Sequence, residues 1–96
     1  MFSTLNEKIN ELNNELEALW WAFTQQSEMA RELLDVADSL EDINPAACRA
    51  FDNAVRECYA FLADIEFEIG VIERQIINEQ ILFEMDMARL SFAAIA

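Results

Sequence analysis

Apolar residues in the first half of the chain recur at alternating intervals of four and three: Leu5, Ile9, Leu12, Leu16, Leu19, Phe23, Ala30, Leu33, Ala37 and Leu40, with Gln26 the one polar residue in the row. That alternation is the heptad pattern of an α-helix packed along a single seam. Ahead of it, Thr4-Leu5-Asn6-Glu7 fits a capping box, in which the Thr4 hydroxyl accepts from the Glu7 backbone N–H. A helix is therefore predicted over about residues 4–43. Gln26, inside Thr24-Gln25-Gln26-Ser27, predicts a polar layer that fixes register, or else a local bend, because an amide placed in a seam needs a partner.

Asn44-Pro45 marks the corner. Asn caps helix N-termini, while Pro suits the first helical position and disfavours helical geometry in the residue before it. Beyond the turn at 44–45 a second row runs through Cys48, Phe51, Val55, Cys58, Leu62, Ile65, Ile69, Ile72 and Ile76 with the same spacing, predicting a second helix over about 45–78. Past Ile76 that register meets Glu79 and Asp86. A row displaced around the helix, Ile77, Ile81, Met85, Ala88, Phe92 and Ile95, carries the apolar pattern instead. The slip at about 79–95 predicts either a stutter in a continuous helix or a break into a short third helix, with Gly70 a second weak point.

Length bears on that choice. A first helix of about 39 residues reaches about 58 Å, whereas an unbroken helix from Pro45 onward reaches about 75 Å. The last fifteen or so residues must fold back or extend onto another chain, since 81–92 is too apolar to leave in water. The fold class is thus all-α: an antiparallel, coiled-coil-like hairpin of two long helices in one domain spanning 1–96. The seam leaves Trp20, Trp21, Leu34, Phe61 and Phe67 unaccounted for. Apolar flanks of this kind widen a seam into the face of a bundle, which predicts a homodimer of hairpins with Trp20, Trp21, Phe61, Phe67, Ile81, Met85 and Phe92 as its apolar contacts. Trp20 and Trp21 point about 100° apart on one helix, so one of them must face something other than the seam. A Trp in that position serves either a multi-helix core or an anchor for a different protein.

Composition narrows the function. Six basic residues against nineteen acidic ones give a net charge of −13, which repels nucleic acid and anionic membranes and attracts basic partners. The start of the chain lacks the basic and apolar blocks of a secretory signal, and no apolar run approaches the roughly 20 residues of a membrane span. A cytoplasmic protein is expected, bound directly to neither nucleic acid nor membrane. Cys48 and Cys58, ten residues apart on one helix, are separated by about 15 Å along its axis, too far for a disulfide within the chain. They read as small buried hydrophobes or as sites of an intermolecular bridge.

The absence of histidine removes the commonest general base and metal ligand. A single glycine, no CxxC pair and no Asp/Asn calcium loop remove phosphate-loop, zinc and calcium motifs. No enzyme activity, metal or cofactor is expected. The acids are the remaining chemistry. Asp35, Asp38, Glu41 and Asp42 crowd the end of the first helix, where the helix dipole disfavours negative charge, and Asp64, Glu66, Glu68 and Glu73 add to the second. Carboxylates at helical spacings of three and four lie about 5 to 6 Å apart, similar to neighbouring phosphates of a nucleic-acid backbone. These eight residues are the candidate partner-binding set, and the expected partner is a basic, nucleic-acid-handling protein. Solvated helix surface is the plainer reading of the same acids.

In size, acidity and lack of catalytic residues the chain resembles the small phage-encoded inhibitors of host defence, including anti-CRISPR proteins that block target-DNA binding. That resemblance implies competition with DNA for an effector complex. The alternative is a structural or adaptor coiled coil, or an antitoxin- or immunity-type protein, binding through apolar helix surface around Trp20, Trp21 and the C-terminal segment.

Overall fold

The computed structural model describes the backbone of residues 2–95 and the side chains of residues 4–92. Two helices, α1 (Phe2–Leu40) and α2 (Pro45–Ile95), pack antiparallel into a rod with extents of 79 × 17 × 12 Å. Among the described residues there is no strand.

The corner forms where the sequence places it. Asn44 Oδ1 accepts the Ala47 N–H at 3.2 Å, and the Asn44 carbonyl accepts the Cys48 N–H at 3.0 Å, so Asn44 is the N-cap and Pro45 the first helical residue. On the other side the Leu40 carbonyl accepts from both Ile43 and Asn44. That bifurcated closure ends α1 at Leu40, three residues short of the predicted Ile43. The N-terminal boundary also moves: α1 is already helical at Phe2, which puts Thr4 inside the first turn and removes its role as N-cap.

Every predicted seam residue of both rows is buried or half-buried. The fully buried ones are Ala30 and Ala37 on α1 with Val55, Cys58, Ile65 and Ile69 on α2. Gln26 is half-buried in its row and α1 runs through it unbroken, while Thr24 Oγ1 donates back to the Trp20 carbonyl at 3.0 Å.

α2 also continues without a break, so no third helix forms. The phase slip resolves against the apolar row. Glu79 and Phe83 keep the original register and are half-buried against α1, whereas Ile77, Ile81 and Met85 face outward. What holds Glu79 in the seam is Lys8, whose Nζ lies 2.7 Å from Glu79 Oε1 and forms the one ion pair among the described residues. Thr4, Leu5 and Lys8 line a shared groove with Glu79, Leu82, Phe83 and Asp86. The α1 N-terminus thus reaches residues 79–86, and the overhang is confined to 87–95, shorter than the sequence predicts.

Gly70 lies inside this continuous helix with no positive φ. A methyl group there meets only the end of the flexible Arg74 side chain, at 3.9 Å. Gly70→Ala is expected to raise stability by about 0.5–1 kcal/mol, because glycine loses more backbone entropy in a helix without gaining a contact. A urea midpoint that falls for this variant would contradict the assigned backbone.

Candidate functional surfaces

With the seam residues facing inward, heptad geometry assigns every other position to an outer face or to one of two flanks. The α1 outer face carries Glu28, Glu32, Asp35 and Asp38, all exposed, at successive intervals of four, three and three, with Arg31 beside Glu28 and Asp35 on the same face, and exposed Asp42 follows in the turn. The four helical acids form a row about 15 Å long. Asp35, Asp38 and Asp42 belong to the predicted set. Glu28 and Glu32 were missed, although the same spacing rule extended back one turn would have found them. Among the described residues none of the five is within ion-pair distance of a cation.

The remaining predicted acids do not join this row. Glu41 sits at the end of the flank that carries Trp20. On α2, Asp64 faces outward, Glu66 and Glu73 lie on the Trp20 flank, and Glu68 lies on the opposite flank. Their separations of two and five residues rotate the carboxylates to three sides of the helix. They also stand about three to five and a half helical turns farther from the corner than Asp35. Of the eight predicted acids, Asp35 and Asp38 share the α1 outer face, Glu41 and Asp42 lie in the turn, and the four on α2 are spread over three sides of that helix.

Cys48 reports the field at the corner. Burial pushes its thiol above the ordinary range, Asp52 adds to this through charge and through its Oδ2, 3.8 Å from Sγ, and Glu41 and Asp38 add more from α1. Both Cys48 and Cys58 are free thiols, Cys58 buried and Cys48 half-buried.

The apolar candidates separate as well. Trp20 is 49% exposed and packs edge-on to Phe23, with ring centroids 5.7 Å apart at 75°. Trp21, 67% exposed, points outward from α1, and Phe67, 69% exposed, points outward from α2. Ile81, Met85 and Phe92 are exposed along the outer face of α2, while the side chain of Ile95 lies outside the described residues. Phe61 stands apart from all of these, on the flank it shares with Met29 and Ala54. Met29 and Val36 were not singled out from sequence because each falls outside the seam row, next to its alanines; only the pairing with α2 brings Met29 beside Phe61.

No helix among the described residues is long and apolar enough to cross a membrane, and no cluster of three or more potential metal ligands occurs among them. Comparison with protein families, curated proteins and solved structures finds no match to the chain.

Proposed function

We propose that this is a non-enzymatic cytoplasmic binding protein that inhibits a basic, nucleic-acid-handling protein by presenting carboxylates in place of phosphates. A phage-encoded anti-defence inhibitor of the anti-CRISPR kind is the form this activity takes. The observation that carries the reading is the row Glu28, Glu32, Asp35 and Asp38 on one face of α1, continued by Asp42 in the turn, in which Arg31 is the one cation set among the acids and none of the five is ion-paired among the described residues. Its last members sit where the α1 dipole opposes them, an arrangement that costs stability. A partner with a basic groove would be drawn in by the field of these acids, so association would be fast at low salt and slow at high salt.

The test is to immobilise the protein, capture its partner from native cytosol, and elute with a salt gradient and separately with duplex DNA. Release between low and moderate ionic strength, and displacement by DNA, are the expected results. A partner that stays bound in high salt and ignores DNA would overturn the proposal.

A second reading has its own support in the exposed outer row of α2, Ile77, Ile81, Met85 and Phe92, together with Trp21. An adaptor, antitoxin or immunity-type protein would bind through such a surface. In that case binding is insensitive to salt and is lost on Trp21→Ala.

A further inference from the structure

The molecule exposes 7431 Å², whereas a compact monomer of 11.1 kDa exposes about 5,700 Å². The excess is about 1,800 Å², well above the roughly 800 Å² that each partner buries in a standard interface. Two packed helices have no way to cover it within one chain. The surface of the rod is not uniform, however, and charge decides which part of it a given partner can approach.

The Trp20 flank mixes Trp20, Ser27 and Leu34 with the acids Asp52 and Glu66 of α2. The opposite flank is different near the corner. There α1 contributes Ala22, Met29 and Val36 and α2 contributes Ala54 and Phe61, with no charged residue at any of these positions. Met29, Ala54 and Phe61 line one shallow groove together with seam residues, and Glu57 borders it from the outer face. Met29 is 49% and Phe61 60% exposed. The uncharged stretch from Ala22 to Val36 is about 21 Å long. Farther from the corner the same flank turns acidic at Glu15 and Glu68.

We infer that a second copy of this chain packs on the flank formed by Ala22, Met29, Val36, Ala54 and Phe61, joining two hairpins into a four-helix bundle. Two chains of charge −13 repel wherever their acids meet, so self-association requires a face from which acids are missing. This flank has none at its own positions near the corner, and Glu32, Glu57 and Asp64 stand only along its outer border. A basic partner gains nothing from it and is drawn instead to the acidic outer row of α1, which the bundle leaves uncovered and presents twice. Of the apolar set expected from sequence, this contact uses Phe61, whereas Trp21 and Phe67 point to the outer faces and take no part in it.

Mass determined by light scattering or sedimentation equilibrium at micromolar concentration is the first measurement, with twice the chain mass expected. Phe61→Glu and Met29→Glu are each expected to raise the dissociation constant at least tenfold, whereas Trp21→Glu leaves it unchanged. Because Phe61→Glu could lose helicity along with the partner, a second arm uses an intact surface. Met29→Cys, with Cys48 and Cys58 replaced by Ser, is treated with a short bis-maleimide and is expected to yield covalent dimer, while Glu11→Cys in the same background yields none. A wild-type monomer at tens of micromolar overturns the inference. So does dissociation by Trp21→Glu alone, or cross-linking from Glu11→Cys as readily as from Met29→Cys.

Discussion

Ile69→Ala is expected to lower the unfolding free energy by about 2–4 kcal/mol, a large share of the roughly 5–15 kcal/mol that holds a small domain together. Ile69 is 4% exposed at the middle of the seam, and among the described residues only Ala30 and Ala37 are as fully enclosed. Truncation leaves a cavity that two helices can close only by approaching each other, and neighbouring Ile65 and Ile72 resist that approach. The contrasting substitution is Ile81→Ala, which removes the same atoms from an exposed outer position and is expected to change stability by less than about 0.5 kcal/mol. Urea denaturation at fixed protein concentration measures both. Equal losses would mean that α2 had slipped to the register in which Ile77, Ile81 and Met85 face α1.

That comparison also marks the limit of what periodicity could reveal. The seam was legible because residues at heptad spacing face the same way whatever they pack against, and all twenty seam positions from Leu5 to Ile76 are buried or half-buried as predicted. The corner was legible because Asn and Pro act through their own backbone chemistry, independently of tertiary context. The C-terminal third was not. An apolar row reads as inward-facing only if burial is the sole force acting, and here the helix keeps its phase, with Lys8 pairing Glu79 inside the seam. Lys8 lies more than seventy residues away in sequence, so no local pattern could announce that contact.

The acids illustrate a related limit. Asp35, Asp38, Glu41 and Asp42 were identified as a cluster because they are close in sequence; helical geometry places Asp35 and Asp38 on one face, and Glu41 and Asp42 follow in the turn. Asp64, Glu66, Glu68 and Glu73 are equally close in sequence, yet spacings of two send neighbours to opposite sides of a helix. Density of charge along the chain is therefore a poor guide to density on the surface. Spacing is the better guide, and it adds Glu28 and Glu32 to the α1 row.

Replacing Asp35, Asp38 and Asp42 together with Lys is expected to separate what this row does for binding from what it does to folding. At the end of α1 a cation interacts favourably with the helix dipole where a carboxylate interacts unfavourably, each by about 0.3–1 kcal/mol. The exchange also relieves self-repulsion, so the thermal midpoint is expected to rise by several degrees. Affinity for a basic partner is expected to fall in the opposite direction, by at least tenfold at low salt, with the difference shrinking as ionic strength increases. Net charge alone would produce some of that loss, and the control is Glu66, Glu68 and Glu73 replaced by Lys, which alters net charge equally but on two different flanks of α2. Titration of captured partner against both variants decides between a surface and a bulk property. If the two triple variants weaken binding to the same degree, the α1 row is not a recognition site, and its carboxylates serve only to keep a rod with wide apolar flanks dispersed in water.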